Sequence, residues 1–517
     1  MAYGLRDFAE QWGDDWALDD DVGQLSWAEG NDRTNRLING LRGLGLQHGD
    51  TVAIVGGNRR EWIEAVGAAG GDGKRWVPVN WHFSPDEIAY VLENSEASLV
   101  IADAEYGDKV AEAADAVGVT HRVAYGGPLD GFLSYDDLLA SASAAEPDGQ
   151  VSGDVMIYTS GTTGRPKGVV SNTSRIGADL EEANAPTAMF MEMLGIPTQG
   201  GIAYNSAPLY HGGPLVFALV PHSLGSKLVL RRKWDGADAL RLIDEFDVTT
   251  VYAVPTHFTR LLRLPEATRS AFDGSSLECV FHTAAPCPPD IKRQMIEWWG
   301  PVINEFYGAS EGGFATSLSC GSEEWLTHPG TVGKPLPMAQ VHILDDDGKE
   351  LGPNETGRVF MRSLIGSDFE FLGDDDKTTL VHKEPGVFTY GDVGHVDEEG
   401  FLYLSDRDID MVISGGVNIY PAEIEGVLMA HPSVADVSVF GVPNDEFGEE
   451  VKAAVELVDR ADPSTVEVEL RNVCREKLAG YMVPRSFEFM ELPRTPTGKL
   501  PKRLLRAKYW EGTGRTI

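Results

Sequence analysis

Residues 158–168 read YTSGTTGRPKG, four small hydroxyl residues and three glycines closed by Lys167 and Gly168. The segments on either side, VMIY before and GVV after, are short apolar runs that read as strands, so the stretch is predicted to be a strand–loop–strand hairpin. That excludes the nucleotide P-loop, G-x-x-x-x-G-K-[ST] ahead of a helix. Counting from Gly161 puts Pro166 where the second glycine belongs, and Gly168 follows the lysine in place of Ser or Thr. The physics of holding an anion still applies: glycines let backbone N–H groups converge, hydroxyls donate and Lys167 adds charge. A plain surface turn has no need of that combination.

Outward from the hairpin, the first hundred residues alternate helical and extended patterns. WAEGNDRTNRLINGLRGLGL, REWIEAVGAA and PDEIAYVLENS read as helices; TVAIVG, WVPVN and ASLVIAD read as strands. Such βαβ alternation predicts parallel strands with helices on both faces. A second series follows from Asp154, with KLVLRR, DGADALRLIDEFD and VTTVYAVP. The run VHILDDDGKELGPNETGRVFMRS, with Asp-Gly and Pro-Asn turn signals, predicts a small β unit. After GFLYLSDRD the pattern changes to short helices and strands. The expected organisation is therefore a large α/β portion of doubly wound sheets over residues 1–406 and a small, mobile C-terminal α+β domain over 407–517.

At 517 residues the chain is too long for one ordinary domain. Its formal net charge of −37 argues against nucleic-acid binding, which needs clustered Lys and Arg. Cys279, Cys287, Cys320 and Cys474 show neither CxxC spacing nor zinc-finger histidines and read as reduced thiols. No basic region followed by an apolar run opens the sequence and no apolar stretch is of membrane-spanning length, so the expected location is cytoplasmic, without integral membrane association.

The hairpin resembles the phosphate-loop signature of the adenylate-forming superfamily, which includes acyl-CoA synthetases, luciferases and peptide-synthetase adenylation domains. Further blocks of that family follow in order: APLYHGG at 207–213, NEFYGASEGG at 304–313, YGDVGHVDEEGFLYLSDRD at 390–408, ISGGVNIYPAEIE at 413–425 and PRTPTGKLPKRLLR at 493–506. HTAAPCPPDIKRQMIEWWGP together with SGGVNIYPAEIE looks most like stand-alone bacterial acyl-CoA synthetases.

The resemblance implies roles residue by residue. Thr159, Ser160, Gly161, Thr162, Thr163, Gly164 and Lys167 match the loop around the β- and γ-phosphates of ATP. Ala284, Ala285 and Pro286 match the turn flanking adenine, Tyr307 and Gly308 the adenine side of the next block, and Ser310 stands where the family usually has threonine near the α-phosphate. Glu311 matches the Mg²⁺ ligand, Asp392 the acid on the ribose hydroxyls and Arg407 a second ribose contact. Lys499 matches the lysine that bridges carboxylate and α-phosphate, His211 a position lining the acyl or thiol passage, and Ser414, Gly415 and Gly416 the pantetheine tunnel to coenzyme A. The family hinge falls on Ile409, where many members have Lys or Asp. The implied substrates are a carboxylic acid, ATP and coenzyme A, with Mg²⁺ as cofactor; a separate acyl carrier protein is the alternative acceptor, and a homodimer is left open.

Two rivals remain at this point. GASEG at 308–312 fits the G-x-S-x-G nucleophile elbow of α/β-hydrolases, with Ser310, Asp392 and His395 in triad order, but GGFATSLS is a poor helix start. A non-catalytic nucleotide sensor on the same fold is the other. For the acyl group, Gly212, Gly213, Ala284, Ala285, Gly308, Gly312 and Gly313 are expected to leave space, which favours medium-to-long fatty or ring-bearing acids over acetate.

Overall fold

The run TVAIV, Thr51–Val55, is buried at every position, as a parallel strand covered on both faces must be. In the computed structural model it lies within a six-stranded, wholly parallel sheet, ordered Leu133–Ser134, His121–Tyr125, Ala97–Asp103, Thr51–Val55, Arg75–Val79, Asp154–Val155. The structure describes residues 5–159, 165–173, 175–407, 410–415, 417–444, 446–458, 461–494 and 500–511, the side chains of Phe314, Asp406 and Arg407 excepted.

The intervening helices start where the sequence caps them. Ser26 and Glu29 exchange side-chain and backbone bonds at 3.2 and 2.9 Å to open Trp27–Gly43. Ser84 and Glu87 do the same for Pro85–Asn94, with proline in its first turn.

A second sheet has nine strands. Its middle, running from Trp16–Asp20 through Lys227–Leu230, Ile202–Asn205, Thr250–Ala253 and Cys279–His282 to Ile303–Tyr307, is parallel, and antiparallel strands close both edges. One core joins the two sheets: Val52 and Ile101 of the first share a buried cluster with Leu37 and Trp62 of the helices and Leu228 and Leu230 of the second. At the carboxyl ends of the strands the join becomes polar. Buried Asn58 donates to the carbonyls of Ala207 and Arg231 at 2.9 and 3.1 Å and accepts from the Leu209 N–H at 3.1 Å, and Arg60 grips Asp20 at 2.5 Å. The segment leading to His211 is thereby pinned to the loop after Thr51–Val55.

The expected hairpin is present: Ile157–Thr159 pairs antiparallel with Lys167–Ser171, Lys167 opposite Thr159, and Phe369–Phe371 adds a third strand. The small β unit is an antiparallel sheet in which Gly357–Ser363 pairs with both Ala339–Leu344 and Asp392–Val396, and Asp392–Val396 pairs in turn with Leu402–Arg407. Beyond Arg407 the next strand, Val412–Ser414, belongs to a separate five-stranded sheet. That sheet has its own core, in which Val451, Ala453 and Val455 of the strand Gly448–Leu457 meet Val439, Leu470 and, from the helix Pro421–Met429, Ile424. It touches the large portion through Arg263, whose guanidinium donates to the carbonyls of Ala435 and Val434 at 3.0 and 2.6 Å.

All four cysteines are free thiols. Burial pushes Cys279 and Cys320 up to about 12 and Cys474 to about 11, and raises Cys287 further still. Among the described residues no helix is long and apolar enough to cross a membrane.

The packing makes two glycines opposite cases. A Cβ on Gly153 would lie 2.2 and 2.6 Å from the backbone carbonyls of Lys74 and Ala69, whereas one on Gly426, inside Pro421–Met429, meets nothing within 4 Å. Gly153→Ala is expected to cost about 1–3 kcal/mol and Gly426→Ala to add up to about 1 kcal/mol, read from urea-unfolding midpoints. Equal midpoints for the two variants would refute the close approach at Gly153.

Candidate active site

Three sheets deliver the segments that the sequence singles out in the large portion. From the hairpin comes Lys167, 8% exposed, its ammonium paired with Asp374 and 5.8 Å from the ring centroid of Phe371. Thr159 ends the first strand of that hairpin, opposite Lys167. The backbone is close-packed here too, since a Cβ on Gly168 would come within 3.0 Å of the Tyr158 ring. Ser160, Gly161, Thr162, Thr163 and Gly164 lie outside the described residues.

The nine-stranded sheet supplies two segments. Cys279–His282 runs into the turn at 283–286, in which Ala284 takes a left-handed φ of 75° and Ala284 and Pro286 are exposed, with Ala285 partly so. Behind this turn is a buried ion pair, Lys292 Nζ to Glu305 Oε2 at 2.7 Å, with His282 Nε2 3.6 Å from the same oxygen. Burial holds His282 well below the usual histidine range and raises Glu305, the lysine charge opposing the second shift. The neighbouring strand, Ile303–Tyr307, ends at Tyr307, whose phenol donates to Asp392 Oδ2 at 2.5 Å. Gly308, Ser310 and Glu311 follow, each partly buried.

The antiparallel sheet supplies Asp392, 8% exposed and paired in register with Arg407, whose side chain is outside the described set. Tyr390 stands between the two groups: its hydroxyl shares a 2.5 Å hydrogen bond with Thr316, and its ring is 6.0 Å from that of Tyr307. Burial raises the Tyr390 phenol, and the charges of Glu311 and Asp392 add to that rise. Glu311 also acts on Lys377, which lies 5.1 Å from the Phe371 ring. Lys167, Phe371 and Lys377 thus form one group on the hairpin's sheet, and Thr316, Tyr390, Tyr307 and Asp392 form another between the nine-stranded and antiparallel sheets, with the Glu311 charge acting on members of both.

His211 precedes the helix Gly212–Ser223 and lies against Tyr210, ring centroids 4.4 Å apart. In the C-terminal sheet Ser414 and Gly415 are described; Gly415 has φ 59° and its N–H donates to the Phe447 carbonyl at 2.8 Å. Gly416, Ile409 and Lys499 lie outside the described residues.

One expectation changes. The glycines read as open space mostly are not. A Cβ on Gly213 would lie 2.7 Å from the Tyr252 hydroxyl, on Gly308 2.9 Å from Ser317 Oγ, on Gly212 3.3 Å from Ser310 Oγ, and on Gly312 1.9 Å from both Thr316 Oγ1 and the Tyr390 hydroxyl; Gly313 alone of the five meets nothing. These glycines admit neighbouring side chains to the backbone. The hydrolase rival, disfavoured by its poor helix start, finds no elbow: Ser310 follows a strand, but the chain then enters a short 3-10 turn, Gly313–Thr316, while Asp392 takes the Tyr307 hydroxyl and His395 stacks on Tyr403. Sequence reasoning missed Asp374, Lys377, Thr316 and Tyr390 as site residues. The acidic run at 374–376 before Lys377 reads as a solvated surface, and Tyr390 opens the block at 390–408 without a role assigned to it.

Residues 5–365 match the AMP-binding enzyme family, and residues 423–499 match the AMP-binding enzyme C-terminal domain. Feruloyl-CoA synthase of Amycolatopsis sp. is 33% identical over 94% of this chain and 94% of its own. Fatty acid–[acyl-carrier-protein] ligase ScoC of Streptomyces coeruleorubidus is 30% identical over 95% of this chain and 93% of its own. The crystal structure of ATP-bound MatB from Rhodopseudomonas palustris superposes with a TM-score of 0.81 at 28% identity, covering 98% of this chain and 99% of that one. The chain belongs to the AMP-binding enzyme family, the adenylate-forming superfamily.

Proposed function

We propose that the chain ligates a carboxylic acid of fatty or aryl type to coenzyme A, cleaving ATP to AMP and pyrophosphate by way of an acyl-adenylate. The observation that carries this reading is the bond from Tyr307 to Asp392, which ties the segments matched to base and ribose together across two sheets, with Lys167 at the mouth of the hairpin. A hydrolase would have no use for a base ligand and a ribose ligand held together.

In the first half-reaction an oxygen of the carboxylate attacks the α-phosphorus of ATP and pyrophosphate leaves. Both reactants are anions, so positioning and charge stabilisation carry the rate. Lys167 and the loop hydroxyls take the β- and γ-phosphates, Ser310 donates near the α-phosphate, the turn 283–286 and Tyr307 flank the base, and Asp392 accepts from the ribose hydroxyls while holding Tyr307. Lys499 bridges the carboxylate and the α-phosphate. In the second half-reaction the thiol of coenzyme A, its proton lost, attacks the acyl carbonyl carbon and AMP leaves. The small domain, 407–517, turns against 1–406 between the halves, withdrawing Lys499 and bringing Ser414, Gly415 and Gly416 to the thiol arm; His211 lines its passage.

The donor set fits Mg²⁺. Glu311, partly buried one residue after Ser310, offers one hard carboxylate donor. An ion that keeps waters and takes one or two carboxylates plus substrate phosphates requires no more. When bound, it neutralises phosphate charge.

Product chromatography is expected to show AMP and pyrophosphate in equal amounts from acid, ATP and coenzyme A; ADP and free phosphate would overturn the reading. A carrier protein replacing coenzyme A with higher kcat/KM would move the acceptor to the alternative.

Lys499→Ala should slow adenylate formation by roughly 10² to 10³, the scale of one preorganised charged donor. It should leave thioester formation from synthetic acyl-adenylate near wild type. Equal slowing of both halves would refute the two-pose scheme.

Gly312→Ala should break the Thr316–Tyr390 contact, costing about 1–3 kcal/mol. It should reduce activity on propionate and on a bulky aryl acid alike. A loss confined to the bulky acid would instead make Gly312 part of the acyl wall.

A further inference from the structure

Lys167 has a partner that no phosphate-binding role explains. Asp374 reaches it across 207 residues of sequence, from the turn between the strand Phe369–Phe371 and the helix Asp375–Val381. The other oxygen of Asp374 accepts the N–H of Lys377 at 3.0 Å, capping that helix, so the carboxylate is held on both sides. Strand pairing fixes the geometry, since Phe371 lies opposite Val169 in the strand that begins at Lys167.

A second cation shares the place. The Lys377 ammonium is 5.1 Å and the Lys167 ammonium 5.8 Å from the centroid of the same Phe371 ring. Only 15 of the 43 basic residues are lysines, counted along the sequence, yet two are brought to one aromatic ring. Burial and the charge of Lys167 hold Lys377 below the usual lysine range, with Glu311 and Asp374 opposing. Two like charges placed together in a partly buried site repel, and the carboxylate beside them offsets that repulsion. A polyanion would offset it more fully.

We propose that Asp374 is an internal competitor for the terminal phosphates: it holds Lys167 while no nucleotide is bound, yields it when the β- and γ-phosphates arrive, and leaves Lys167 and Lys377 together as the pyrophosphate-binding pair. The proposal rests on the assignment of Lys167 to the phosphate site given above. Lys377 then touches substrate directly, and the returning Asp374 carboxylate helps expel pyrophosphate after adenylation.

The two residues have opposite signatures. Asp374→Asn keeps the helix cap, because asparagine caps as well as aspartate, and removes only the competing charge. It should tighten inhibition by inorganic pyrophosphate and lower the KM for ATP about two- to fivefold, the scale of one partly exposed ion pair. Lys377→Ala should weaken pyrophosphate inhibition and raise the KM for ATP about tenfold, as loss of a charged hydrogen bond does, and Lys377→Arg should restore both. AMP, which lacks the terminal phosphates, should bind all three variants as it binds wild type, measured by calorimetry. If Asp374→Asn weakens pyrophosphate and AMP together, Asp374 is structural and the competitor is refuted; if Lys377→Ala leaves pyrophosphate inhibition unchanged, the second cation is refuted. Lys167→Ala separates the proposal from its foundation: unaltered pyrophosphate inhibition in that variant would remove the phosphate assignment itself, and the proposal with it.

Discussion

The hydrogen bond from Tyr307 to Asp392 is the constraint around which the site is organised. Tyr307 closes a strand of the nine-stranded sheet, and Asp392 opens a strand of the antiparallel sheet; at 2.5 Å their side chains fix the one against the other. A hydroxyl bonded to a carboxylate makes a shorter and stronger contact than a neutral pair, and both residues are largely withdrawn from water, so the bond is worth more than one at the surface. The Thr316–Tyr390 bond beside it repeats the tie, while the Lys167–Asp374 pair closes the hairpin's own sheet. Segments far apart in sequence come from separate sheets, and these polar ties give Tyr307, Thr316, Tyr390 and Asp392 a common frame.

Below that frame the architecture follows from burial. Parallel strands such as Thr51–Val55 need cover on both faces, which the capped helices provide, and one core then serves two sheets. Asn58 completes the join in polar terms: two carbonyls and one N–H at the buried junction are satisfied by one amide. The small C-terminal sheet has its own core, and the Arg263 bonds to it end on backbone carbonyls of Val434 and Ala435.

Local signals were legible and distant ones were not. The hairpin at 157–171 could be read from apolar runs flanking a polar loop, and the helix starts from Ser26–Glu29 and Ser84–Glu87, because each depends on residues a few positions apart. Asp374 could not be read, since nothing near it in sequence points to a lysine 207 positions away. Gly213 and Gly312 mislead for a different reason. A glycine records that a Cβ is not tolerated and says nothing of whether the adjoining volume is empty or already filled, here by Tyr252 and Tyr390. Motif order placed Ser414 and Lys167 in their segments, but side-chain partners such as Phe371 emerge only once the strands are paired.

The four cysteines bear on a hazard that any maker of mixed anhydrides faces. An acyl-adenylate reacts with whatever thiolate it meets, including those of the protein that made it. With Cys279 and Cys320 at about 12 and Cys474 at about 11, and Cys287 raised beyond them, the chain's own sulfurs stay protonated at neutral pH. A thiol arriving from solution keeps its ordinary acidity and so has no rival inside the fold. Burial first, and neighbouring carboxylates such as Glu278 and Glu305 second, thus favour leaving the activated acyl group to the acceptor.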